Sequence, residues 1–104
     1  IVDVTLSVED NFRDAEFAKA SPNPFNNFSI IELKEGMNSL TGIEIFDVMG
    51  RSIKNIQESD IINGNSYVWD GTDNIGRQMP NGTYICKLVS VSGEITNIQL
   101  IRNN

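Results

Sequence analysis

Asn81-Gly82-Thr83-Tyr84-Ile85-Cys86-Lys87-Leu88-Val89-Ser90-Val91, followed by Ser92-Gly93 and then Glu94-Ile95-Thr96-Asn97-Ile98-Gln99-Leu100-Ile101, reads as two strands and a turn. Tyr84, Cys86 and Leu88 fall on one face of the first strand and Ile85, Lys87 and Val89 on the other; Ile98 and Leu100 share a face of the second. Alternation with period two is the pattern of a β-strand. Ser92-Gly93 is short enough to join the two strands as a hairpin. Asn81-Gly82 ahead of them and Asn63-Gly64 further upstream are the dipeptides that tolerate the left-handed conformation of tight hairpin turns, so a turn is expected at each.

Working outward, the same reading recurs at short intervals. Ser66 to Asp70 carries Tyr67 and Trp69 on one face, and Gly42 to Val48 carries Ile43 and Ile45 against Glu44 and Phe46, a mixed outer side that suggests cover on both faces. Asp47-Val48-Met49-Gly50 makes a tight reversal, because an aspartate can bond the backbone just after it and a glycine can take positive φ. Arg51 to Gln57 returns as the hairpin partner. A strand is expected from Phe28 to Leu33, ending at the charged turn Lys34-Glu35-Gly36. Before it, Ser21-Pro22-Asn23-Pro24 interrupts pairing, since neither proline can donate to a ladder. The opening Ile1 to Val8 alternates strictly, with Val2, Val4, Leu6 and Val8 on one face, and Glu9 to Glu16 is polar enough to be a linker.

Composition agrees. Thirteen asparagines and eight glycines against three alanines favour strands and turns over helices. Short strands with turn signals every eight to twelve residues define an all-β chain, an immunoglobulin-like antiparallel β-sandwich of about seven strands. No internal repeat stands out. Residues 17–104 form the domain, and residues 1–16 are a leading strand and linker or the tail of a preceding domain.

With 104 residues, the chain is one domain's length, able to remove roughly two thirds of its extended surface from water without staples. Its one cysteine cannot form an internal disulfide. Fourteen acidic against eight basic residues give a net charge of −6, which repels phosphate backbones and argues against a nucleic-acid partner. No apolar run approaches the ~18 residues of a membrane-spanning helix, and no basic-then-apolar leader opens the chain; mature or excised soluble material is expected.

The absence of histidine excludes serine–histidine and cysteine–histidine pairs and the commonest zinc sites. Asp70-Gly71-Thr72-Asp73-Asn74-Ile75-Gly76 is rich in oxygen ligands, but the spacing does not fit the helix-loop-helix calcium pattern. The turn reading is preferred: Asp70, Asp73 and Asn74 cap turns, and Gly71 and Gly76 supply positive φ in a long hairpin connection. Asp70 with Asp73 makes a poor glycosidase pair, because a small sandwich has no cleft for one. Cys86 lies at core spacing with no base to activate it. Trp69 can be a sugar-stacking platform or a core plug; its apolar neighbours favour the core. Asn27-Phe28-Ser29 and Asn81-Gly82-Thr83 match the glycan acceptor pattern, which decides nothing without the host. No catalytic, cofactor or metal residues are expected, and the enzyme reading is the weakest.

Read as an ordered set, four blocks stand out: Ser21-Pro22-Asn23-Pro24-Phe25-Asn26, Ile43 to Arg51 with Asp47 and Gly50, Trp69-Asp70-Gly71-Thr72-Asp73-Asn74 with Gly76, and Pro80-Asn81-Gly82-Thr83-Tyr84. Together they resemble the type A C-terminal sorting domain of type IX secretion in Bacteroidetes, over about Phe17 to Arg102. A closely similar pattern occurs in the immunoglobulin-like domain of the flagellar hook-capping scaffold. The resemblance implies a domain at the end of a larger exported protein, following an N-terminal cargo domain. It also implies recognition in the periplasm by the outer-membrane machinery (shuttle barrel, translocon and sortase), then cleavage and a cell-surface or extracellular fate. On this reading Leu100, Ile101, Arg102, Asn103 and Asn104 contact the receptor, which could grasp the open edge of the last strand or pocket the tail. Many members end near a lysine; Arg102 keeps that charge. Pro22 to Phe25, Asp47, Gly50, Arg51, Trp69, Asp70, Gly71, Asp73, Gly76, Gly82 and Tyr84 are structural first. The competing readings are a carbohydrate-binding module using Trp69, Tyr67 and Tyr84, and an assembly domain of the hook-scaffold type.

Overall fold

A computed structural model of the chain describes residues 17–34 and 39–103. Within them lie β1 Ala18–Ser21, β2 Ser29–Leu33, β3 Leu40–Asp47, β4 Ser52–Gln57, β5 Ser66–Trp69, β6 Gly82–Ser90 and β7 Ile95–Arg102, with a single 3-10 turn at Glu58–Asp60. The strands form two sheets, β1-β2-β5 and β4-β3-β6-β7, every neighbour antiparallel. Because β3 pairs with β6 across the intervening β4 and β5, the sandwich is immunoglobulin-like.

The core sits where the alternation places it. Tyr84, Cys86 and Leu88 of β6 and Ile98 and Leu100 of β7 are buried, facing Ala18, Ile31, Leu33 and Trp69 of the other sheet. In β3 the buried residues are Leu40, Ile43 and Ile45, a three-residue step followed by a two-residue step. A register shift between Leu40 and Gly42 absorbs the extra residue and keeps both isoleucines inward. The mixed outer side of this strand is half-buried, and the Lys87 ammonium lies 5.8 Å from the centre of the Phe46 ring.

The expected strand with Val2, Val4, Leu6 and Val8, the linker Glu9 to Glu16, and Glu35 and Gly36 lie outside the described residues. In contrast, β1 was not expected: Ala-Lys-Ala-Ser has little strand propensity and buries only Ala18, so its pairing with β2, Ala18 opposite Leu33 to Ser21 opposite Ile30, is a tertiary effect. Asn63-Gly64 does form a tight turn, with φ of 54° and 75° and the Asn65 N–H donating to the Ile62 carbonyl at 3.0 Å. Asn81-Gly82 does not reverse the chain between paired strands; it is the lead-in to β6. Likewise, Asp70 to Gly76 is no hairpin connection, since it carries the chain from β5 in one sheet to β6 in the other.

Candidate functional site

The edge of the last strand is not open along its final residues. The segment Pro22-Asn23-Pro24-Phe25, in which both residue–proline bonds are cis, runs along the outside of β7. The Asn23 Nδ2 donates to the Gln99 carbonyl at 2.8 Å, and its Oδ1 accepts from the Ile101 N–H at 2.9 Å. The Phe25 N–H then donates to the Ile101 carbonyl, and the Phe25 carbonyl accepts from the Asn103 N–H, both at 2.8 Å. Prolines have no N–H, so a side-chain amide, which both donates and accepts, takes the place of a strand between them. This strap occupies the ladder that an added strand would need between Gln99 and Asn103.

Beneath the strap, the distant blocks meet. Phe25 is tilted against Trp69 with ring centres 5.4 Å apart, and Trp69 meets Tyr84 edge-on at 5.3 Å. Trp69 is fully buried and its indole N–H donates to the Thr72 carbonyl at 2.9 Å; the Tyr84 hydroxyl donates to the Pro80 carbonyl at 2.5 Å, a tyrosine corner at the start of β6. Arg102 closes the group. It is 7% exposed, its Nη1 donates to the Gly71 carbonyl and to Gln78 Oε1, and its guanidinium lies 5.9 Å from the centre of the Phe25 ring. Arg102 Nε is buried without a partner. An arginine stays charged, so this cation is held by carbonyl and amide dipoles and a ring face. Gly71 permits the approach: its φ is 81°, and a Cβ there would stand 2.9 Å from the Arg102 Cζ.

A second constellation is local, its aspartates mostly covered and its arginines exposed. At Asp47, Oδ1 accepts from the Met49 and Arg51 N–H groups, each at 2.9 Å, while Oδ2 accepts from Arg51 Nε at 2.7 Å. At Asp73, Oδ1 accepts from the Ile75 and Arg77 N–H groups at 3.1 and 2.9 Å, and Oδ2 from Arg77 Nε at 2.9 Å. Gly50 and Gly76 take φ of 86° and 89°. Partial burial raises the Asp47 pKa, but the bonds from Arg51 and Met49 outweigh it and hold the carboxyl below its usual value. For Asp73 the Arg77 N–H bond dominates and lowers the pKa against a desolvation cost. Turn preferences mark the Asp47 and Asp73 turns separately; the signal that joins them, and that points to Arg77, is the repeated pattern Asp-x-x-Gly-Arg.

A family model described as the secretion system C-terminal sorting domain matches residues 19–102. The chain belongs to this family of type IX secretion sorting domains. Among curated proteins, none matches. Two solved structures are similar in fold. The crystal structure of dimeric latent PorU from Porphyromonas gingivalis aligns at TM-score 0.58 and 22% identity over 83% of this chain and 9% of that one. CopC from Methylosinus trichosporium OB3b aligns at TM-score 0.47 and 15% identity over 84% of this chain and 92% of that one.

In the sorting domain the remaining expected residues separate clearly. Leu100 is fully buried and Arg102 nearly so, Ile101 is half-buried, Asn103 is exposed, and Asn104 lies outside the described residues. Pro22, Asn23 and Pro24 are exposed while Phe25 is buried. Trp69 and Tyr84 are core residues, so neither offers a face for a sugar ring; Tyr67 is half-buried, its phenol pKa pushed up to about 12 by desolvation and then by nearby acids. Cys86 is buried, which pushes its thiol pKa up and away from reactivity. Asp70 caps Thr72, whose hydroxyl bond, at 2.5 Å, is the main reason its carboxyl pKa is lowered. Asn74 differs from expectation: its Oδ1 accepts from the Asn55 N–H of β4 at 3.0 Å, tying the second turn to an edge strand. No group of three histidine, cysteine or acidic side chains placed to hold a metal is found among the described residues.

Proposed function

We propose that this sorting domain carries an N-terminal cargo through the periplasm to the outer-membrane type IX machinery, crosses with it, and is cut away at the surface. The observation that supports this reading is convergence. The family blocks around Phe25, Trp69 and Tyr84, far apart in the chain, come together on Arg102 of the last strand. A chain in which they had not met would present a different terminus, so the folded knot acts as a mark of a completed domain that a receptor can read. Shuttle barrel, translocon and sortase are the partners of this reading. Leu100 and Arg102 serve it from inside by fixing the tail. Ile101 and Asn103, followed by Asn104, supply the outward contacts.

The test is a reporter fused ahead of residues 1–104 in a type IX host. Surface display is expected, and retention in the periplasm would count against the proposal. A deletion of Leu100 to Asn104 removes two buried side chains and confuses export with folding. Removing Asn103 and Asn104 alone separates them: lost display with an unchanged unfolding transition assigns the address to the tail.

A further inference from the structure

The four-stranded sheet ends in two long edge strands, β4 of six residues and β7 of eight, whereas the three-stranded sheet ends in β1 and β5, of four residues each. A long edge strand offers a row of backbone donors and acceptors to any other strand. Both long edges are met by an asparagine side chain from a distant loop. On β7, Asn23 bonds the carbonyl just before Leu100 and the N–H just after it, and the Phe25 backbone bonds the carbonyl before Arg102 and the N–H after it. Bonding to the two neighbours of an opposite residue is the pattern of a parallel pair, and Phe25 and Arg102 form such a bridge. Asn23 and Phe25 are two positions apart, as are Leu100 and Arg102. The side-chain amide and the Phe25 peptide groups therefore continue one ladder in register, across a proline that has no N–H to give.

On β4, Asn74 Oδ1 accepts from the Asn55 N–H at 3.0 Å. Next to it Lys54 faces Ile45 and Ser52 faces Phe46, which leaves Ile53 with no residue opposite, a bulge that twists the edge. Holding the fold together does not explain the two asparagines. Both are exposed, and water would satisfy the same backbone groups at little cost. What water cannot do is keep a strand from taking its place.

We propose that Asn23 and Asn74 guard the two long edges of this sheet, and that the pairing they prevent is edge-to-edge addition of a second copy of the domain. A second copy brings edge strands of matching length, and pairing of two such edges would join two four-stranded sheets into one. The inference concerns the domain alone and stands apart from the sorting reading.

Sedimentation of the purified chain over a concentration series tests it. The unaltered chain is expected to remain monomeric. Asn23→Ala with Asn74→Ala frees the Gln99 carbonyl and the Ile101 and Asn55 N–H groups, and is expected to lower the concentration at which the chain self-associates by about tenfold. Asn23→Lys with Asn74→Lys loses the same asparagine bonds but sets charges on the edges, and is expected to stay monomeric. Gly71→Ala weakens the fold while leaving both asparagines in place, and is expected to stay monomeric as well. Unfolding transitions show which variants are folded. A folded double-alanine variant that associates no more than the unaltered chain overturns the inference. So does a double-lysine or Gly71→Ala variant that associates as readily as the double-alanine one, because lost stability would then account for the effect. Should the double-alanine variant not fold, Asn74→Ala, which removes one exposed bond, takes its place, and unchanged association of that variant overturns the inference.

Discussion

The knot around Arg102 and the paired Asp-x-x-Gly-Arg loops solve opposite problems. In the knot, side chains from four distant parts of the chain exclude water and hold a cation with dipoles and a ring. In the loops, an aspartate and the arginine four residues on close the turn between themselves; the carboxylates are mostly covered, and the arginine side chains stay outside. The contrast teaches that the parts of this domain that hold the fold together and the parts that stay exposed are different residues, even within the same family blocks. Trp69 and Asp73 are four residues apart; one is sealed in the core and the other anchors an exposed turn.

If the contrast is right, substitutions should sort by region. Trp69→Ala removes the centre of the aromatic cluster and an indole hydrogen bond, and should cost about 4 kcal/mol in chemical denaturation. Gly71→Ala meets both a left-handed backbone and the Arg102 guanidinium, and should cost about 3 kcal/mol. Asn23→Ala removes both strap bonds to β7, and should cost about 1 kcal/mol while raising hydrogen exchange at the Ile101 and Asn103 amides. Asp47→Asn with Asp73→Asn should lower the melting temperature least. A loss from that pair as large as that from Gly71→Ala would erase the distinction.

Two pH profiles sharpen the same comparison. The loop aspartates have lowered pKa values, so their contribution is present above the unfolded value of about 4 and is lost as pH falls through the folded values. The melting temperature should therefore drop below about pH 4, and less steeply in the double asparagine variant. Tyr67, at about 12, and Tyr84, raised mainly by burial, report the interior. Their neutral forms stabilise the fold fully below the unfolded pKa of about 10, and that contribution fades as pH rises toward the folded values. Tyrosinate absorbance should accordingly rise well above pH 10 or together with unfolding; a simple titration at pH 10 would mean that burial does not hold these phenols neutral.

Much of the sandwich was legible because it is written in near neighbours. Alternation in β6 and β7, the Asp47 reversal and the Asn63-Gly64 turn depend on residues within a few positions of one another. β1 was not legible, because Ala18–Ser21 becomes a strand only when β2 offers it a ladder. Nor was the fate of Asn81-Gly82, where the Tyr84 hydroxyl bond to Pro80 sets the chain path in place of a hairpin. The role of Arg102 ran against its type: a charged residue near the end of a chain reads as a surface contact, and only Gly71, Gln78 and Phe25 together make its burial tolerable.

Local rules thus determined the all-β class, the inward faces of the long strands and the two aspartate turns, since backbone geometry and hydrogen-bond reach act over a handful of residues. Tertiary structure alone decided that Pro22 to Phe25 straps the last strand, that Arg102 turns inward and that two asparagines from different loops meet the edges of one sheet. Those outcomes depend on which surfaces meet when water is excluded, and sequence distance carries no information about that.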